Sequence, residues 1–200
     1  SIFKKVGLIF VLSVVIFTVN LAISIVAINK NRDTMNFMQS KVSERVELAN
    51  QNVIFVQRLD ELYTQSVSFA DEDLLTNASK VFKSLDSNLN KLSVIDNNQS
   101  QALSTLNRAL KEYNDMTSDL ARGMLDGSID MSQVGQISQK KSAVFDTLTN
   151  GINQYKVDKV DEFSSTLAEA SNRSEQSLYL TLGIGIALLI IMAIATISIA

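Results

Sequence analysis

Two long uncharged stretches enclose a segment of a different character. Residues 6–28 and 178–200 each contain 23 residues without a charge. At about 1.5 Å of rise per helical residue, either stretch can cross the roughly 30 Å hydrocarbon core of a bilayer. The intervening residues 29–177 mix charged and apolar positions at helical spacing. The pattern predicts a short stub at residues 1–5, two transmembrane helices, and a folded domain on the opposite side of the membrane from both termini.

The first helix of this domain carries two apolar stripes. One advances in steps of four and three residues, which is typical of a coiled-coil or bundle seam. Its members are Val42, Val46, Ala49, Val53, Val56, Tyr63, Val67 and Ala70. The other repeats every seven residues as Leu48, Phe55, Leu62 and Phe69. Two stripes make an apolar arc wide enough for two neighbouring helices.

The seven-residue stripe also suggests how two copies of the chain associate. Extended backward by sevens from Leu48, it passes Lys41, Thr34 and Ala27 and reaches Asn20 inside the first apolar stretch. An amide within a bilayer is costly unless it is hydrogen-bonded. We therefore predict a homodimer along this helix with Asn20 as a membrane dimer contact. The alternative is a bond from Asn20 to the second span of its own chain.

Turn signals divide the remainder into three further helices. Asp71 is placed as an N-cap, Asp96-Asn97-Asn98 forms the next turn, and Gly127-Ser128 precedes a capping-box pattern at Asp130 and Gln133. In the fourth helix the apolar spacing slips at residues 156–159 and resumes at Val160. Asn150-Gly151 is its one soft spot, and we expect a continuous helix weakened there. The predicted fold class is all-α, an antiparallel four-helix bundle on a two-helix stalk, flanked by two transmembrane helices.

Composition excludes several kinds of chemistry. The chain has no His, Cys, Trp or Pro. The usual zinc and haem ligands, thiol nucleophiles and histidine general bases are therefore missing. No phosphate-binding or dinucleotide-binding glycine motif occurs, and the net charge of −3 comes without a basic patch. We expect no enzyme activity, no cofactor, no bound metal and no nucleic-acid partner.

Two opposite charges interrupt the apolar seams and mark the candidate binding site. Asp60 stands among the seam positions of the first helix, and Lys141 lies between Ile137 and Val144 in the fourth. Both lie ten residues from the predicted turns at the far end of the bundle, so the antiparallel arrangement brings them to one level. Charges facing a core must pair, because an unpaired buried charge is costly. Either they form a structural ion pair, or they line a polar pocket with Arg58, Tyr63 and Thr64.

The overall layout resembles the N-terminal sensory part of a bacterial methyl-accepting chemotaxis protein. The features that carry the resemblance are Lys4-Lys5 before a span, four helices without cysteine, and a fourth helix continuous with a second span. Basic residues before a span also favour a cytoplasmic N-terminus. The resemblance implies a multi-pass homodimer surrounded by lipid in the bacterial inner membrane, with residues 29–177 in the periplasm.

The same resemblance implies a function. The periplasmic domain is expected to bind a small molecule, directly or through a periplasmic protein, and to act through the second span on a cytoplasmic kinase complex by way of a region beyond residue 200. An amino acid or an organic acid would suit paired charges. Arg45 and Arg58 are the only arginines of the first helix beyond the stalk. They do not reproduce the arginine cluster of the amino-acid receptors in that family.

Two alternatives remain open from the sequence. The chain is also compatible with a structural or partner-binding membrane hairpin that transmits no signal. The input module of a sensor kinase or a cyclase has the same layout up to residue 200.

Overall fold

The computed structural model describes residues 2–197, and it describes their side chains except at residues 2–5, 39–40, 192 and 195–197. These residues form helices joined by short turns and include no β-strand. The predicted all-α class is confirmed. The elements are α1 (Ile2–Phe37), a π-helical turn (Met38–Val42), α2 (Ser43–Phe69), α3 (Glu72–Ile95), a 3₁₀ turn (Asn97–Gln99), α4 (Ser100–Asp126) and α5 (Met131–Ile197).

The chain divides into two compact units. A terminal unit combines Ser1–Ser40 with Ser164–Ala200, and a central unit comprises Lys41–Phe163.

In the terminal unit, α1 and α5 each supply a stretch long and apolar enough to cross a membrane. Large apolar side chains such as Leu8, Phe10 and Leu189 are exposed on them, as a lipid-facing surface requires. The hydroxyls of Ser24 and Thr181 lie 3.3 Å apart and hydrogen-bond the two helices together. The amide oxygen of Asn20 is buried and accepts no hydrogen bond from the described residues.

The central unit has one apolar core to which α2, α3, α4 and α5 all contribute. Its largest fully buried side chains include Leu59, Leu85, Leu110 and Leu148. The ends of the helices follow the predicted caps. Asp71 accepts a hydrogen bond from the backbone N–H of Asp73 at 2.8 Å at the start of α3, and Asp130 accepts one from Ser132 at 2.9 Å at the start of α5. Short local signals therefore define these turns.

Helix α5 passes through the predicted soft spot without a break, so the expectation of a continuous helix is confirmed. Gly151 is present for a reason other than a turn. A Cβ atom at this position would collide with the side chain of Leu106 on α4. The glycine lets α4 and α5 pack closely, whereas Gly135 of the same helix has open space around it.

The seven-residue stripe packs mainly within its own unit, as the wide apolar arc of the helix indicated. Leu48 and Leu62 are buried in the core of their own unit, and Phe55 packs partly against it. Only Phe69 is largely exposed. Both apolar stripes of α2 therefore pack mainly against neighbouring helices of the same chain.

The backward extension of that stripe to Asn20 meets an interruption of the regular α-helix. The π-helical turn at Met38–Val42 separates Leu48 from Asn20. A π turn closes i→i+5 hydrogen bonds instead of i→i+4, so it inserts an additional residue and changes the helical phase. A strict repeat of seven cannot be carried through it. The homodimer stays a prediction. The repeat of seven residues no longer supports Asn20 as its contact.

Candidate functional site

An open cleft of about 350 Å³ lies among α2, α4 and α5 of the central unit. Its wall combines charged, hydroxyl-bearing and apolar side chains. The lining residues are Asp60, Tyr63, Thr64, Val67, Ser68, Thr117, Leu120, Ala121, Met124, Ser138, Lys141, Ser142 and Phe145. Four of the five residues predicted for the site, namely Asp60, Tyr63, Thr64 and Lys141, are among them.

Asp60 and Lys141 form the pair that their seam positions predicted. Lys141 Nζ lies 2.7 Å from Asp60 Oδ1. The two side chains keep 21% and 31% of their surface exposed, respectively, so the pair lies at the edge of the core and faces the cleft. One residue of α2 and one of α5 thus bring both signs of charge to one point.

Tyr113 of α4 completes this group, and the sequence analysis did not find it. Its hydroxyl donates a hydrogen bond to Asp60 Oδ1 at 2.6 Å, and its ring centroid lies 5.9 Å from Lys141 Nζ, within the range of a cation–π contact. Burial, reinforced by the hydrogen bond to Asp60 and by that negative charge, raises the pKa of Tyr113. The phenol therefore stays a neutral donor to the carboxylate.

Tyr63 contributes its ring more than its hydroxyl. It is buried, and its hydroxyl donates to Asn114 Oδ1 at 2.7 Å. Its ring meets that of Tyr113 edge-on, with the centroids 6.5 Å apart. Burial raises the pKa of Tyr63 as well. Thr64 is exposed at the rim of the cleft.

Arg58 does not line the cleft, which corrects its place in the predicted pocket. It is half exposed and pairs with Glu61 at 2.7 Å on the outer face of α2. At 3.6 residues per turn, two positions along a helix are about 200° apart around its axis. A residue two positions before Asp60 therefore points away from the side that Asp60 faces.

The cleft can hold a small dipolar molecule. A carboxylate and an ammonium supply complementary charges, the hydroxyls of Ser68, Ser138 and Ser142 supply polar contacts, and Leu120 and Phe145 supply an apolar wall. Among the described residues, no group of three or more His, Cys, Asp or Glu side chains is placed to hold a metal ion. The arrangement is suited to binding.

A second charge cluster lies at the α3–α4 turn and was also missed. We call it the turn cluster. It consists of Arg45 from α2, Asp96 from the turn, and Tyr155, Lys159 and Glu162 from α5.

Asp96 is the centre of the turn cluster. Lys159 Nζ lies 2.8 Å from Asp96 Oδ2, and the Tyr155 hydroxyl donates to the same oxygen at 2.9 Å. Glu162 lies 2.7 Å from Lys159 and 3.3 Å from Arg45. Arg45 also donates to the backbone carbonyl of Ile95 at 2.6 Å. Two cations and two anions from three parts of the chain thus meet in one place.

The electrostatics of the turn cluster favour its charged form. Burial by itself would lower the pKa of Lys159, but the hydrogen bonds and charges of Asp96 and Glu162 outweigh it and raise that pKa. Burial raises the pKa of Tyr155, and the charge of Asp96 adds to the effect. As a result, Lys159 stays an ammonium and Tyr155 stays a neutral phenol.

The apparent slip of the apolar spacing in the fourth helix was the sequence signal that could have revealed the turn cluster. The seam of α5 runs through Leu148, Ile152, Tyr155 and Lys159 in steps of four, three and four, and all four side chains are buried. The spacing therefore does not slip at residues 156–159, and Val160 is exposed. A lysine that continues an apolar seam indicates a buried partner.

Comparison with known proteins does not assign the chain to a family. No protein-family model, curated protein or solved structure matches the chain.

Proposed function

We propose that the chain is the sensory module of a transmembrane chemoreceptor. In this proposal residues 29–177 lie in the periplasm of a bacterium and form an antiparallel four-helix bundle on a two-helix stalk. The chain is a homodimer in the inner membrane. A small molecule binds the cleft among α2, α4 and α5, and the signal passes along α5 to a kinase complex on the cytoplasmic side.

One observation carries the proposal: the Asp60–Lys141 pair faces an open cleft instead of being sealed in the core. A pair with only a structural role needs no cavity beside it. The volume of about 350 Å³ falls within the range of roughly 300–1,000 Å³ typical of small-molecule pockets. Because the pair presents both signs of charge, a zwitterion such as an amino acid fits it better than a simple anion does.

The location of Lys141 supports the route of the signal. Lys141 belongs to α5, and α5 continues as one helix into the apolar stretch. A ligand carboxylate that competes with Asp60 for Lys141 would act directly on this helix. Helix shifts of about 1–2 Å accompany switching at subunit interfaces of allosteric proteins.

The test is a binding measurement on the full chain in lipid nanodiscs. We would titrate amino acids and small organic acids and record heat and the thermal unfolding midpoint. A ligand at about 100 times its Kd stabilises the folded state by roughly 2.7 kcal/mol. Lys141→Met should abolish this stabilisation, because it removes the cationic half of the site.

Lys140→Met is the matched control. Lys140 is the neighbouring lysine of α5 and pairs with Glu112 at 2.9 Å on the exposed surface, so the ligand response should persist. If Lys141→Met lowers the unfolding midpoint but leaves the response intact, the pair is only structural. If no amino acid or organic acid binds the parent chain, the result favours a membrane hairpin without a small-molecule ligand.

A further inference from the structure

The turn cluster is more deeply buried than the pair in the cleft. The side chains of Asp96 and Lys159 keep only 2% and 7% of their surface exposed. It also joins more of the chain, because α2, the α3–α4 turn and α5 each supply a charge. A cluster this closed cannot receive a ligand without opening, so its role lies within the unit itself.

Stability alone does not explain buried charges at this place. Removing ions from water is costly, and well-packed apolar side chains often stabilise a core as well as or better than an ion pair does. The adjoining layers of the same core use apolar contacts, with Leu92, Leu148 and Ile152 fully or almost fully buried. Compared with apolar side chains, charged side chains add contacts that form only at specific positions.

The contacts of the turn cluster depend strongly on the axial position of α5. Lys159 of α5 lies 2.8 Å from Asp96 of the turn, and Glu162 of α5 lies 3.3 Å from Arg45 of α2. Helical residues advance by about 1.5 Å, so a slide of α5 by one residue would disturb both of these contacts and weaken the pairing of the buried Asp96 carboxylate. Leucine and isoleucine contacts, in contrast, tolerate repacking with modest loss.

We infer that the turn cluster is a register lock, which holds α5 at one axial position against α2 and the α3–α4 turn within the central unit. The lock is independent of any ligand in the cleft. It sets the resting position from which any movement of α5 must start.

The experiment measures the axial register directly in the full chain in nanodiscs. The natural sequence has no cysteine, so Asn50→Cys and Asp161→Cys, both at exposed positions, add two spin labels to each chain. The labelled chain is diluted with an excess of unlabelled chain, so that a homodimer carries at most one labelled copy. Pulsed electron resonance then reports the distance between α2 and α5. The otherwise unchanged chain should give one narrow distribution.

The deciding variant is Asp96→Asn with Lys159→Met, which removes one charge of each sign and keeps the cluster neutral. The lock predicts a broadened or split distance distribution, on the order of one residue to one turn of rise (about 1.5–5 Å), in a protein that remains helical. The matched control, Glu112→Gln with Lys140→Met, removes an exposed pair of α4 and α5. Its distribution should stay narrow.

A distribution as narrow as that of the unchanged chain would overturn the inference, because apolar packing would then fix the register. If the double variant fails to fold, Glu162→Gln decides instead. Glu162 is one-third exposed and contacts both cations of the cluster. Broadening in that milder variant supports the lock, and an unchanged distribution refutes it.

Discussion

At the scale of single residues, the central unit uses one arrangement twice. Asp60 and Asp96 each accept a hydrogen bond from a buried tyrosine and pair with a lysine of α5. The lysine balances the charge of the carboxylate, and the phenol supplies a strong donor that adds no charge. Both aspartates thereby have a cationic and a neutral partner, Asp96 inside the core and Asp60 at its edge.

These tyrosines predict a loss of stability in strong alkali. The pKa values of Tyr63, Tyr113 and Tyr155 are all raised, chiefly by burial. A raised folded-state pKa stabilises the protein fully below the unfolded-state value of about 10 and loses its effect as pH rises above that value. We expect a thermal midpoint that is insensitive to tyrosine ionisation between about pH 7 and 9 and falls beyond about pH 10.

Two optical measurements check this. Circular dichroism gives the midpoint, and absorbance of the phenolate near 295 nm follows ionisation. The buried tyrosines should ionise only as the helices melt. Tyr113→Phe should make the alkaline fall shallower, since one raised pKa is gone. Ionisation of all tyrosines near pH 10 in a chain that is still helical would contradict the burial argument.

At the scale of elements, the packing of α4 against α5 depends on the side chain missing at Gly151. Leu106 of α4 occupies the space where a larger residue would project. Gly135, on an open part of the same helix, meets nothing within 4 Å. One helix therefore carries two glycines whose replacement should have opposite effects.

We predict that Gly135→Leu stabilises the protein by about 0.5–1 kcal/mol, through helix propensity alone. Gly151→Leu should destabilise it by about 1–3 kcal/mol, because overpacking exceeds the propensity gain. Chemical unfolding of each variant measures the difference. Leu106→Ala in the Gly151→Leu background should recover part of the loss. Equal effects of the two leucine substitutions would show that Leu106 simply moves aside.

Local patterns were sufficient to predict the helices but not all of their contacts. Asp71 and Asp130 could be assigned as caps because the interaction spans only two residues. Asp60 and Lys141 could be paired because each is a polar residue in an apolar seam. Tyr113 could not be assigned to this group, because a tyrosine fits an apolar seam and the spacing of the seam does not show that its hydroxyl has a polar partner.

Other errors arose because residues close in sequence were taken to be close in space, and residues far apart in sequence were not. Arg58 is close to Asp60 in sequence but lies on another face of α2. The segment of the π turn, Met38–Val42, contains no proline or glycine that would indicate a change in the helix. The repeat of seven was therefore carried through it. Lys159 looked like a break in the seam because its partner Asp96 is 63 positions away.

At the scale of the whole molecule, the membrane arrangement is the main expectation to test. Two apolar helical stretches long enough to cross a bilayer enclose a polar, folded unit. If both cross, the two ends of the chain share one side and the α4–α5 turn lies on the other. The basic residues Lys4 and Lys5 favour the cytoplasm for the ends.

Single cysteines test this arrangement in cells, since the natural chain has none. Ser128→Cys in the α4–α5 turn should react with a membrane-impermeant maleimide before the inner membrane is disrupted. Ser1→Cys, the control on the other side of the first apolar stretch, should react only afterwards. The reverse pattern would invert the orientation, and equal labelling of both would argue against a hairpin.

The turn cluster also constrains how this sequence can change over generations. A substitution that removes Asp96 or Lys159, its two most buried charges, leaves a buried charge without balance, at a cost of about 3–5 kcal/mol. That is a large share of the 5–15 kcal/mol by which a typical domain is stable. Loss of the cluster by drift therefore has to pass through a poorly viable intermediate, or two positions such as 96 and 159 must change nearly together. The exposed Lys140–Glu112 pair has no such barrier, so we expect its two positions to vary more freely than 96 and 159.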